Sequence, residues 1–265
     1  MPAPNEITPA QLMRLIGLPD CPQIVDVCVD EDFDADPYLI PGSWRHDHRD
    51  LPGLLAKLQG QRVIMACQKG KKLSQGVAAW LAAEGLDTQF LQGGMYGWRD
   101  HEGAPRLPVA VIPAPRDGAT LWVTRHRPKI DRIACPWLIR RFVDRNARFL
   151  FVAPNEVEAV AEKLGATAFD VEGDWGHQDN RCSFDTMLAR FELTTPALSR
   201  LADVVRGADL GRHDLHAASA GLLAVSVGLS RRYRNDQEQL RAGLDLYDSL
   251  YRWARDGSQE SHSHE

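Results

Sequence analysis

Between residues 1 and 105, short apolar runs alternate with helix-length amphipathic segments, and this alternation restricts what the chain can fold into. Ile24-Val25-Asp26-Val27, Val63-Ile64-Met65-Ala66 and Thr88 to Leu91 have the length and apolar character of buried strands. Between them, Thr8 can cap a helix carrying Leu12, Leu15 and Ile16. Leu51 to Leu58 places Leu51, Leu54, Leu55 and Leu58 on one face, and Leu73 to Glu84 is again helical. Strands separated by single helices imply a parallel sheet covered by helices on both faces. In such a sheet, ligands sit outside the carboxyl ends of the strands.

Cys67 stands at such an end. It closes the run Val63 to Ala66 and opens the loop Cys67-Gln68-Lys69-Gly70-Lys71-Lys72, which leads into the next helix. The unpaired N–H groups of a helix start and three nearby ammonium groups favour a thiolate, and the thiolate is the nucleophilic form of cysteine. Six positions on, where a cysteine-dependent phosphatase needs an arginine, the chain has Leu73. Lys72 closes a shorter cradle, whose backbone amides can form a nest for an outer sulfur atom or a small anion. Free cysteines are also common as small buried residues. Placement and charge together favour the reactive reading.

The 265 residues allow two domains, and a charge shift marks where they meet. Residues 1–105 carry a net charge of −5 and residues 106–265 are formally neutral. Pro105, Pro108, Pro113 and Pro115 followed by Asp117-Gly118 predict an extended linker over 106–120. The five cysteines are scattered without a CxxC pair, which argues against a disulfide framework. Met1 to Glu6 has neither the basic start nor the apolar core of an export signal. Ala217 to Leu229, the longest apolar stretch, is too short and too rich in Ser and Gly to span a bilayer. A cytoplasmic protein without a membrane segment is expected. The acidic run Asp30 to Asp36 reads as a solvated loop, and His46 and His48 receive no role.

Residues 1–105 resemble a single rhodanese-type sulfurtransferase domain. The resemblance rests on Ile24-Val25-Asp26-Val27, Pro41-Gly42, the Cys67 to Lys72 loop, and Gly93-Gly94-Met95 followed by Trp98. It implies that Cys67 carries a persulfide and passes the outer sulfur to a nucleophilic acceptor, with Gln68, Lys69, Gly70, Lys71 and Lys72 as the substrate cradle. The donor would be a small anion such as thiosulfate, or a persulfide, and the acceptor a thiol. Sulfur transfer of this kind requires no cofactor. Cys28 stands where an arginine commonly follows the Asp-Val pair, and Tyr38-Leu39 replaces the usual Gly-His before Ile-Pro-Gly.

Beyond the linker, Leu121-Trp122-Val123, Phe149 to Val152 and Ala168 to Val171 read as strands and Pro154 to Leu164 as a helix. Ile130, Ile133, Trp137, Leu138 and Phe142 lie at helical spacing, with Pro136 placing the helix start, or a kink, near Cys135. Three helices follow: Pro196 to Arg206, the nearly all-apolar Ala217 to Leu229, and Asp236 to Ala254 with Leu240, Leu244, Tyr247, Tyr251 and Ala254 on one face. The second domain, residues 121–256, is therefore α/β at its start and mostly helical beyond. A polar tail over 257–265 is expected to be disordered.

Asp170 to His177 and Cys182 to Asp185 are dense in ligand-type side chains. Glu172, His177, Asp185 and His213 are candidate ligands for a first-row metal such as zinc or iron. Asp209, His213, Asp214 and His216 form a second cluster that could meet the first in space. Loop-forming and capping roles for the same residues remain open. Cys135 and Cys182 are further candidate thiols, and the core-like neighbours of Cys135 favour a structural role there. With a pI near 6.0 and no arginine-rich block, DNA is not expected as a partner. Arg231-Arg232-Tyr233-Arg234 reads as a helix-end feature.

Residues 121–256 resemble the C-terminal domain of ChrB-type chromate-resistance proteins. The resemblance is carried by Arg127 to Phe142, His177 with Cys182-Ser183-Phe184-Asp185, Val205 to Asp209, Ala220 to Ala224 and Tyr247 to Trp253. It implies a link to lower chromate accumulation and chromate-responsive control; under a sensor reading the lysine-lined Cys67 loop would bind chromate or sulfate. The leading expectation is a sulfurtransferase coupled to an oxyanion response. The alternatives are an oxyanion sensor and a metal enzyme seated in the second domain.

Overall fold

The computed structural model of the chain describes residues 5–260. Of the tail expected over 257–265, residues 261–265 lie outside the described residues, and Gly257 ends a π-helical turn over Trp253–Gly257. The chain divides into two compact units, Met1–Ile112 with Arg141–Arg145, and Pro113–Arg140 with Asn146–Glu265.

The first unit contains strands β1 (Glu6–Ile7), β2 (Gln23–Asp26), β3 (Tyr38–Leu39), β4 (Ser43–Arg45), β5 (Val63–Ala66), β6 (Thr88–Leu91) and β7 (Leu107–Pro108). Its helices are α1 (Pro9–Met13), α2 (Asp30–Asp34), α3 (Leu51–Leu58), α4 (Lys72–Ala83) and α5 (Gly94–Arg99). Five strands form an all-parallel sheet in the order β1-β6-β5-β2-β4. Helices follow the strands in sequence, as the alternating pattern predicts. Strand β5 lies at the centre, and Val63, Ile64, Met65 and Ala66 are all buried. Each large aliphatic side chain buried there stabilises the sheet by about 1.5–3 kcal/mol.

Two local features differ from the sequence reading. The acidic run is helix α2 at its start, with Asp30, Glu31 and Asp32 in the first turn, where they complement the helix dipole, and Phe33 buried beneath. Leu107 is buried and β7 pairs antiparallel with β3, so the stretch expected as linker begins as ordered sheet.

The second unit opens with β8 (Leu121–Arg125), α6 (Asp131–Leu138), β9 (Arg148–Val152), α7 (Val157–Leu164) and β10 (Thr167–Ala168). The three strands form a parallel sheet with β8 in the middle. Helices α8 (Ser183–Arg190), α9 (Pro196–Asp209), α10 (Ser219–Arg232) and α11 (Asp236–Arg252) complete it. Helix α6 begins at Asp131 and carries Pro136 inside it, so Cys135 lies within the helix and not at its start. The apolar side chains of α6 compensate for the backbone bond lost at Pro136. Trp137 packs against Phe184, Tyr247 and Tyr251, with ring centroids 5.4–6.4 Å apart.

Helix α10 is not buried in the manner its composition suggests. Its buried positions are Ser219, Leu222, Ser226 and Ser230, while Val225 and Val227 are 47% and 41% exposed. Small side chains are needed on the inner face because a Cβ at Gly207 would lie 2.3 Å from the Ser219 Oγ, so α9 and α10 approach closely. No helix among the described residues is long and apolar enough to cross a membrane.

Candidate functional site

In the first unit, β5 delivers Cys67 to the carboxyl end of the sheet, and the chain passes through the loop into α4. The Cys67 Sγ lies 3.1 Å from the Ser74 Oγ in the first turn of that helix, and both residues are buried. Ser74 has the geometry to donate to a thiolate. The sequence signal for it is slight, a hydroxyl seven residues beyond the cysteine. The first-turn amides of α4 have no intrahelical acceptor, and Lys71 caps the helix without a side-chain bond, which leaves partial positive charge beside the sulfur.

The loop is held by its neighbour. The Met95 and Tyr96 amides donate to the Cys67 and Gln68 carbonyls, at 3.0 Å each. Gly70 and Gly94 have positive φ, and a Cβ at Gly94 would fall 1.9 Å from the Cys67 carbonyl oxygen. Glycine is therefore required where the two loops interlock. The Gln68 Nε2 donates to Asp32 at 2.8 Å, which ties the loop to α2. Lys69, Lys71 and Lys72 are exposed on the outer side, while Cys67 is 5% exposed. A small cleft beside the loop is lined by Cys28, Asp32, Tyr38, Gln68, Tyr96 and Arg106, among others. Burial and the neighbouring Asp26 push the Cys28 thiol far up, so it stays protonated.

In the second unit the candidate metal ligands separate. Asp185 accepts from the Cys182 amide at 3.1 Å and pairs with Arg206 at 2.8 Å, so it caps α8. Glu172 and His213 are exposed and join no cluster. Asp214 pairs with Arg212, and the His216 ring accepts from the Ala218 amide. His177 instead meets three carboxylates, with its Nε2 3.4 Å from Asp131, 3.2 Å from Asp170 and 3.3 Å from Asp209. Four separate pieces of chain bring them together. Asp131 opens α6, Asp170 follows β10 at a positive φ, His177 lies in the next loop and Asp209 ends α9.

The electrostatics are uneven. Asp170 is bound by Arg125 at 2.8 Å and Arg132 at 3.2 Å and accepts from the Ser183 hydroxyl at 2.9 Å. Burial works against its charge, but hydrogen bonds from His177 and Arg125 hold its carboxyl below the ordinary value. Asp131 is 1% exposed. Its Oδ2 accepts from the Ser183 and Phe184 amides, while its Oδ1 has no hydrogen-bond partner. Burial raises Asp131, and burial together with the charges of Asp131 and Asp170 raises Asp209 to about 7. Bonds to Asp131 and Asp170 raise His177 to about 10.

Cys135 and Cys182 lie close to this cluster, in surroundings that favour the protonated thiol. Both are fully buried, and burial followed by the charge of Asp131 pushes both far up. The Cys182 thiol donates to Asp185 at 3.4 Å.

Two family models match the chain: that of the rhodanese-like domain over residues 8–101, and that of ChrB, C-terminal domain, over residues 122–254. Protein ChrB of Cupriavidus metallidurans is 37% identical over 132 residues, which cover 49% of this chain and 39% of that protein. The chain thus spans well under half the length of this curated relative. Among solved structures, a rhodanese-like domain protein from Staphylococcus aureus is 29% identical with a TM-score of 0.32, covering 37% of this chain and 94% of that one. A rhodanese-related protein from Thermoplasma volcanium is 20% identical with a TM-score of 0.32, covering 39% of this chain and 97% of that one. The second family model extends over half of the residues, so the chain belongs to the family of the ChrB C-terminal domain, carried here behind a rhodanese-like domain.

Proposed function

We propose that the first unit is a rhodanese-type sulfurtransferase in which Cys67 carries a persulfide, and that the chain serves resistance to chromate in the cytoplasm. The observation that carries this reading is the 3.1 Å contact between the Cys67 sulfur and the Ser74 hydroxyl at the start of α4. The hydroxyl, the first-turn amides and the lysines around the loop place hydrogen-bond donors and positive charge beside the sulfur, as a nucleophilic cysteine requires. Lys69, Lys71 and Lys72 would draw in an anionic donor of the thiosulfate type, or a persulfide. The Cys67 sulfur attacks the donor's outer sulfur, the donor's S–S bond breaks, and sulfite or a thiolate leaves. A thiol would accept the sulfur. The ChrB-type unit would couple transfer to the response against an oxidising oxyanion.

Treating the full chain with thiosulfate is expected to add about 32 Da to wild type, as one sulfur bound to cysteine, and nothing to Cys67→Ala. Cyanide should then release thiocyanate from wild type alone. Absence of both the adduct and thiocyanate would sink the reading.

The 5% exposure of Cys67 favours a second reading, in which the lysine-lined loop binds chromate or sulfate without turnover. Cys67→Ser would then leave anion binding intact and Lys72→Ala would weaken it. Under the sulfurtransferase reading, Cys67→Ser abolishes all chemistry.

A further inference from the structure

The cluster around His177 lies in the second unit, outside the residues that the sulfurtransferase reading uses. We propose that Asp131, His177 and Asp209 bind a divalent transition-metal ion of the zinc class, with the fourth coordination position open to water or a substrate oxygen.

The first argument is geometric. A protonated imidazole offers one hydrogen at Nε2, and a strong charge-assisted bond from it would be about 2.7–2.9 Å long. Here three carboxylate oxygens surround that nitrogen at 3.2–3.4 Å, all of them longer than that. One hydrogen cannot serve three acceptors. An ion roughly 2.1 Å from each ligand in tetrahedral geometry sets neighbouring ligand atoms about 3.4 Å apart. The ligand atoms of Asp131, His177 and Asp209 all lie within 4.8 Å of one another, so a small inward movement would complete the site.

The second argument is the state of Asp131. This carboxylate is 1% exposed, and its Oδ1 has no hydrogen-bond partner. The oxygen that faces His177 is Oδ2, and an ion bound there would balance a buried carboxylate charge that Oδ1 leaves without a hydrogen-bond partner. Asp170, by contrast, is already served by Arg125, Arg132 and Ser183, and would stay outside the ion's immediate shell as an anchor. His177 is 42% exposed on its loop, which gives an ion a route from solvent. One imidazole and two carboxylates form a ligand set that suits zinc.

The test uses the full chain, stripped with a chelator and titrated with zinc by calorimetry, followed by elemental analysis and cobalt substitution. Wild type is expected to hold about one zinc ion per chain and to give the visible absorption of tetrahedral cobalt. His177→Ala and Asp209→Asn should bind zinc about 100-fold more weakly and lose the cobalt bands, with unchanged circular dichroism. Both positions are partly exposed, so the variants are expected to fold. Asp131→Asn is the less suitable variant because Asp131 also holds the start of α8. Equal zinc content and cobalt spectra in wild type and both variants would overturn the proposal, as would wild type that binds neither metal.

Discussion

The Ser74 hydroxyl sits 3.1 Å from the Cys67 sulfur, in the first turn of α4, where it can donate to a sulfur that is otherwise closed off from water. A hydrogen bond to a charged group contributes about 1.5–3 kcal/mol. Ser74→Ala should therefore slow alkylation of Cys67 at neutral pH by about tenfold or more. Timed iodoacetamide labelling with peptide mass spectrometry measures this, and an unchanged rate would remove Ser74 from the thiol's support.

The interlock of the two loops gives a stability prediction. Gly94→Ala places a Cβ 1.9 Å from the Cys67 carbonyl at a positive φ, whereas Gly85→Ala has a positive φ and open space around it. The first should cost about 3 kcal/mol or more and the second about 1–2 kcal/mol. Urea denaturation of the full chain separates them. Similar losses would show that the cradle yields more easily than its packing indicates.

His177 gives the pH dependence of the metal-free chain. Its folded value is raised from 6.5 to about 10 by Asp131 and Asp170, with Asp209 facing the same nitrogen. Its contribution to stability is complete below 6.5 and is lost as pH rises through about 10. The metal-free protein should lose stability across that interval, and His177→Gln should lose less. Thermal melts at stepped pH in a chelating buffer provide the measurement. Parallel curves for the two proteins would contradict the assignment.

Asp185 and Glu172 should behave differently from ligands. Asp185→Ala removes the cap of α8 and the partner of Arg206, and should destabilise the chain by about 2–3 kcal/mol. Glu172→Ala lies on an exposed loop and should stay within about 0.5 kcal/mol of wild type. Neither should alter zinc content. Loss of zinc in the Glu172 variant would return that residue to the ligand set.

The central strands and the longer helices of the first unit could be read from the sequence because their apolar periods are regular and each is local, whereas α2 and the short strands β3, β4 and β7 carry no such period. Strands β5 and β6 and helix α3 fall where the pattern places them, and α4 lies one residue earlier. Cys67 and its loop are equally visible, since strand, loop and helix are contiguous. The carboxylates around His177 are a different case. Asp131 lies in a segment of Ile, Ala and Cys that reads as core, and Asp209 ends a helix far along the chain. Their meeting depends on tertiary convergence, which no local spacing encodes. Local density of acidic residues pointed to Glu172 and Asp185 instead, because capping and solvation use the same side chains as metal binding. The existence of helix α10 was legible, but its buried face was not. Composition does not say which face a helix buries, and close approach to α9 selected the serines.

The bonds from the Met95 and Tyr96 amides to the Cys67 and Gln68 carbonyls couple two segments that are distant in sequence. The sulfur-bearing loop cannot swing outward to admit a bulky molecule without releasing both amides into water. Their hydrogen-exchange rates therefore serve as a built-in gauge of opening, legible without touching the cysteine. Slow exchange at both would confine reactants to those slender enough to enter a shut door.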